Sequence, residues 1–171
     1  MPGVREFYRQ TLKEVKGRVP WTDAEQQLLD QCHTGKYVWI WFGRPEGGET
    51  HKEIRAPLLR FLLLGGDEAH RLSPKGLRVC GARITEPLDM EGCETGFDLW
   101  LHDCDLTQQP VFKDSRLAAL MLSQCSLPGL NGHLLRATGS ILISSATQVA
   151  GSVDLMAARI EGSLECRGKF D

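Results

Sequence analysis

Leu77-Arg-Val79, followed by Ala82-Arg-Ile84, opens a pattern that restarts at intervals of ten to twelve residues through the rest of the chain. With Leu77 as position one, it begins again at Leu88, Leu99, Pro110, Leu120, Leu130, Ile141, Val153 and Leu164. Position three holds Val79, Met90, Leu101, Phe112, Leu122, Gly132, Ile143, Leu155 and Cys166, apolar in eight of nine units. Position six holds Ala82, Cys93, Cys104, Ser115, Cys125, Leu135, Ala146, Ala158 and Lys169, small in seven of nine. Position eight is apolar at Ile84, Leu106, Leu117, Leu127, Ala137 and Ile160, with Thr95, Gln148 and Asp171 as exceptions. Apolar residues at one and three, then six and eight, describe two short strands per unit, each turning alternate side chains to one side. The Gly, Asp, Glu, Arg and Ser residues between them suit corners that bend sharply and face water.

A coil of a single unit would have two sides and almost no interior, whereas two units give about 22 residues and four sides around a packed centre. The expected fold is therefore mainly β, a right-handed parallel β-solenoid of quadrilateral section. At ~4.8 Å per stacked strand the column should stand roughly 20 to 25 Å tall. Small residues at position six fit where two sides converge. Leu135, Gly132 and the uneven spacing from Leu130 to Ile141 predict a distorted coil or bulge there. A β-sandwich would need longer strands and hairpin turns, and the segments offer only Asn131-Gly132.

Residues 1–71 read as a cap region and 72–171 as the repeats. Residues 3–16 carry Val4, Phe7, Leu12 and Val15 among charges, a weakly amphipathic helix. Thr22 with Glu25 three residues on has the form of a capping box, and Leu28, Leu29 and Cys32 follow on one face until Gly35. Tyr37-Val-Trp-Ile-Trp-Phe42 is strand-prone, and Arg44 to Thr50 is a loop. Glu53 to Leu64 reads as a helix with Pro57 in its first turn, stopped by Gly65-Gly66, and is expected to lie over the open end of the first coil.

Residues 54–68 and 74–84, Ile54-Arg-Ala-Pro-Leu-Leu-Arg-Phe-Leu-Leu-Leu-Gly-Gly-Asp-Glu68 and Pro74-Lys-Gly-Leu-Arg-Val-Cys-Gly-Ala-Arg-Ile84, resemble the opening of a family of bacterial proteins with pentapeptide-like repeats, often given the name "membrane-associated oxidoreductase". Ala158-Arg-Ile-Glu-Gly-Ser-Leu-Glu-Cys166 is similar to its recurring repeat, and the resemblance covers roughly residues 20–171. It implies the same solenoid. Because members of that family are commonly longer, it also implies that this chain is an N-terminal portion or a short member, with any enzymatic part outside it. It carries over no catalytic residue.

The residues give little support for redox chemistry. Gly-x-Gly-x-x-Gly is absent, and Gly43-Arg-Pro-Glu-Gly-Gly48 has neither the spacing nor the charge for phosphates. Cys32, Cys80, Cys93, Cys104, Cys125 and Cys166 contain no Cys-x-x-Cys pair. Cys93, Cys104, Cys125 and Cys166 fall on interior positions, which points to packing. Stacking could bring Cys104 near Cys125, but no histidine shares those positions, so no metal ligand set is expected. His102 and Asp103 lie beside Cys104, yet alternation turns that thiol inward and the imidazole outward. His33, His51, His70 and His133 are scattered.

The chain is thus expected to have no catalytic residue, cofactor or metal, and to act as an interaction or scaffold protein with an unknown protein partner or a second copy. Its contact surface should include Arg78, Trp100 and Arg159. Trp39 and Trp41 are read as packing near the cap, whereas Trp100, at position two, points outward. Residues 1–71 hold eleven Lys/Arg and ten Asp/Glu, and residues 72–171 nine and twelve, so neither part has the basic stripe of a nucleic-acid clamp. No apolar run of about 18 residues exists for a membrane span. Without an apolar signal core at the N-terminus, a cytoplasmic location is expected.

Overall fold

Two residues per corner and two to four per side are enough to build this molecule. In the computed structural model, which describes residues 9–170, the repeats form a parallel β-solenoid with four faces. The first face stacks Val38–Trp39, Leu77–Cys80, Leu99–His102, Leu120–Ser123, Ile141–Ile143 and Leu164–Cys166. The second stacks Glu53–Arg55, Arg83–Thr85, Asp105–Leu106, Ser126–Leu127, Gln148–Val149 and Lys169–Phe170. The third pairs Leu130–Asn131 with Val153–Asp154 and extends through single bridges to Val111 and Asp89. The fourth stacks Arg116–Leu117, Arg136–Ala137 and Arg159–Ile160, with a bridge from Arg116 to Glu94.

Register explains the sequence pattern. Leu77, Leu99, Leu120, Ile141 and Leu164 stand in one column. In the coils below the last they are buried, as are Val79, Leu101, Leu122 and Ile143 beside them. Each fully buried Leu or Ile contributes about 1.5–3 kcal/mol.

The corner at position six is small for a reason beyond space. Cys104 Sγ donates to the Val79 carbonyl of the coil below at 3.7 Å, and Cys125 Sγ donates to the Leu101 carbonyl at 3.3 Å. Thr147 Oγ1 donates to the Leu122 carbonyl at 3.0 Å. On the opposite corner Ser115 Oγ donates to Phe112 O at 2.7 Å. A small side chain with one donor fits the bend and adds a second hydrogen bond to a carbonyl there, since Leu122 O also accepts from Ser144 N–H and Phe112 O from Ser115 N–H.

Position five is the sharp bend itself. Gly81, Gly92, Asp103, Asp114, Gln124, Leu134 and Ala157 all adopt positive φ between 49° and 72°. At Gly81 a Cβ would also run into the backbone of Trp41. Leu134, at φ 58° and 41% exposed, occupies this left-handed position with little burial in return. Leu134→Asn should therefore raise stability by about 0.5–1 kcal/mol, read as a higher midpoint in thermal unfolding.

Three expectations need correction. The unit beginning at Leu130 is not distorted, since Leu130–Asn131 keeps its register with Val153–Asp154. Its exceptions compensate each other: buried Leu135 occupies space beside Gly132, where a Cβ would meet Leu135 Cδ2 at 3.4 Å and Leu155 Cδ2 at 2.7 Å. The irregularity lies one corner later. One extra residue between Ile143 and Gln148 leaves Ala146 exposed and puts Thr147 and Val149 inside. Finally, the helix expected over residues 53–64 starts later. Glu53–Arg55 is a strand, and the helix is Ala56–Leu63. Pro57 explains this, because its ring would clash with the Glu53 carbonyl in a continuous helix.

The remaining N-terminal elements close the column. Helix α1 (Leu12–Lys16) and helix α2 (Asp23–Gln31) each begin with a complete capping box, at Thr11 with Glu14 and at Thr22 with Glu25. Val4 and Phe7 of the expected first helix lie outside the described residues. Helix α3 (Ala56–Leu63) follows the second-face strand Glu53–Arg55 and packs against the first full coil. It buries Leu58, Leu59, Leu62 and Leu63, and Thr95 Oγ1 donates to its Leu63 carbonyl at 2.6 Å. Val38–Trp39 and Glu53–Arg55, both within residues 1–71, hydrogen-bond directly into the first and second faces. No described helix is long and apolar enough to cross a membrane.

Candidate interaction face

Strand alternation on the first face turns positions two and four outward. Arg78, Trp100, Met121, Leu142 and Glu165 line up in one outward row, one residue from each successive coil. Trp39, Cys80, His102 and Ser123 form a second row beside it. The row ends are set by the segment Tyr37–Phe42, of which only Val38–Trp39 is strand; Ile40 N–H still donates to Cys80 O at 2.8 Å.

This register builds a continuous aromatic surface. The Tyr37 ring lies 6.5 Å from Trp100, 6.1 Å from Trp39 and 6.3 Å from His102. Trp39 in turn lies 5.7 Å from Phe42. The Arg78 guanidinium sits 4.5 Å over the Trp100 ring and 6.0 Å from the Tyr37 ring, so a cation is held within an aromatic patch. Burial raises the Tyr37 phenol above its usual range, while Arg78 opposes that shift. Phe42 is 84% exposed and Trp39 48%, an outlay of aromatic surface that a packed cap does not require. Within the same patch Arg78 Nε and Trp100 Nε1 are buried donors without a hydrogen-bond partner among the described residues. Unpaired buried donors are uncommon, and here both are closed off from solvent by the Arg78–Trp100 stack itself.

Of the three expected contact residues, the structure brings two together. Arg78 and Trp100 are register neighbours. Arg159 is on the fourth face, in a column with Arg136 and Arg116. There Arg116 is 3.8 Å from Glu94, and all three arginines are exposed. Sequence reading missed Tyr37, Trp39, Phe42, Met121 and Leu142. The signal was available for Met121 and Leu142, which share position two with Trp100. It was weak for the aromatics of residues 37–42, because their strand joins the column across an insertion of about forty residues without a shared unit length. Trp41, also 48% exposed, lies under the Lys52 ammonium at 3.5 Å.

The cysteines follow the packing reading only in part. Cys32, Cys80, Cys93, Cys104 and Cys125 are buried free thiols. Burial and the neighbouring Cys125 thiol push Cys104 well above the ordinary thiol range, so it is held as an inert SH group. Cys166, expected inside, is exposed because no described coil covers it. The His102 imidazole does not approach Cys104. Its register partner is Cys80, one coil away.

Comparison with protein-family models, curated proteins and solved structures found no match.

Proposed function

We propose that this chain is a noncatalytic interaction protein that docks a protein partner on the aromatic first face of its solenoid. The contiguous run Phe42, Trp39, Tyr37, Trp100 with Arg78 carries this reading. It has the composition of an interface centre, where large aromatics and arginine dominate binding. A matching partner segment would bring apolar side chains for the rings and Leu142, and a carboxylate to face the Arg78 guanidinium. The cytoplasmic location expected from the sequence suits such a role.

Self-association through the last described coil belongs to the same proposal. Val153–Asp154, Arg159–Ile160, Leu164–Cys166 and Lys169–Phe170 each have one strand neighbour among the described residues. Leu164 is 52% exposed and Phe170 47%, although their column mates Ile141 and Val149 are fully buried. Exposed apolar side chains along a strand edge favour pairing with an identical edge. Light scattering over a concentration series should show the mean mass rising from monomer toward dimer, and Leu164→Glu should hold it at monomer. A wild-type chain that stays monomeric throughout the series contradicts self-association and leaves the aromatic face untouched.

A further inference from the structure

We propose that Cys80, His102 and Asp103 form a binding site for one divalent cation of borderline softness, with Zn(II) the best fit. Cys80 Sγ, one ring nitrogen of His102 and a carboxylate oxygen of Asp103 all lie within 4.8 Å of one another. The fold places them. Cys80 and His102 are opposed in register on adjacent strands, and Asp103 turns at the left-handed corner immediately after. Backbone bonds pin both coils, from Gly81 N–H to His102 O at 3.0 Å and from Asp103 N–H to Ser123 O at 2.9 Å.

The donor chemistry is selective. Thiolate, imidazole and carboxylate together suit Zn(II), whose donors in a tetrahedral site stand about 3.3–3.8 Å apart. His102 and Asp103 retain 28% and 18% of their side-chain exposure, so neither is locked on all sides by packing. His102 Nε2 already lies 3.5 Å from Asp103 Oδ2 and 3.1 Å from Gln124 Nε2. The site has three protein ligands, which leaves the fourth position to water.

Cys80 also lacks the explanation that serves its neighbours. Cys104 and Cys125 point inward and donate to carbonyls of adjacent coils. Cys80 alternates outward with Arg78, yet it is fully buried, and its thiol has no hydrogen-bond partner among the described residues. No other position-four residue in the nine units is a cysteine. The site borders the docking patch, with the His102 ring 6.3 Å from Tyr37, but metal binding and partner docking are read by separate experiments and either can fail alone.

The test is titration of the reduced, metal-free full chain with Co(II). One equivalent should produce sulfur-to-cobalt charge-transfer absorption and the visible bands of a tetrahedral ion, both displaced by Zn(II). Cys166→Ser should keep these bands. Cys80→Ser should lose the charge-transfer absorption, and the surface changes His102→Gln and Asp103→Asn should weaken binding by about tenfold or more with the circular dichroism unchanged. Absence of the charge-transfer band in the wild type, its survival in Cys80→Ser, its loss in Cys166→Ser, or unaltered affinity in His102→Gln would each overturn the site.

Discussion

Arg55→Ala should destabilise the fold by about 3–5 kcal/mol, because it leaves a buried carboxylate without its cation. Glu25 has no solvent exposure. It is gripped at both oxygens by the Arg55 guanidinium, with Nε to Oε1 at 2.7 Å and Nη2 to Oε2 at 2.9 Å. The same carboxylate accepts the Arg55 backbone N–H at 2.9 Å and the Thr22 N–H of its own capping box at 3.0 Å. Arg55 in turn reaches the Lys16 carbonyl at 3.1 Å and lies 5.0 Å over the Trp21 ring. Its hydrogen bonds to Glu25 push the guanidinium further toward its charged form, which fits a pair held as ions. One ion pair therefore ties α1, α2 and the strand leading into α3. In a chain of this length the loss should lower the thermal midpoint by about 6–20 °C. Replacing both members with methionine should recover part of it, since the isolated buried charge disappears. A midpoint unchanged in Arg55→Ala would show that the pair is dispensable.

Trp100→Ala should weaken partner binding by about 2 kcal/mol or more, roughly thirtyfold, measured well below the unfolding midpoint because the half-buried ring also supports Arg78 and Tyr37. Trp100 is the ring on which Arg78 rests and against which the Tyr37 edge packs, so truncation removes the centre of the patch. Arg78→Ala should come next in size. Arg159→Ala should change binding by less than about 0.5 kcal/mol, because it stands on another face. Equal losses from Trp100→Ala and Arg159→Ala would remove the reason for assigning the contact to the first face.

The column was legible because its rule is local: the alternation Leu77-Arg-Val79 and Ala82-Arg-Ile84 survives in nearly every coil, and each unit stacks on a copy of itself. Four faces followed from the need for an interior. What could not be read were pairings across coils of unlike length. Glu53–Arg55 looks helical beside the leucines of α3, and only its bond to Arg83–Thr85 makes it a strand. The extra residue before Gln148 was hidden because Ala146 is as small as the position demands, while the neighbouring Thr147 supplies the donor the corner uses. Gly132 and Leu135 each broke the pattern alone and satisfy it together. The candidate site was legible only at Arg78 and Trp100. Its aromatic extension depends on Val38–Trp39 joining the first face, and the approach of Cys80 to His102 depends on a register 22 residues long.

The most direct test of the docking face is a photo-crosslinking residue placed at Leu142, in the outward row with Trp100, and separately at Ser126 on the second face, in cells carrying the full chain. A discrete adduct with one protein should form from position 142, be lost when Trp100→Ala is added, persist with Arg159→Ala, and be absent from position 126. An adduct from position 142 that is indifferent to Trp100→Ala, or one formed equally from position 126, would contradict docking on the first face.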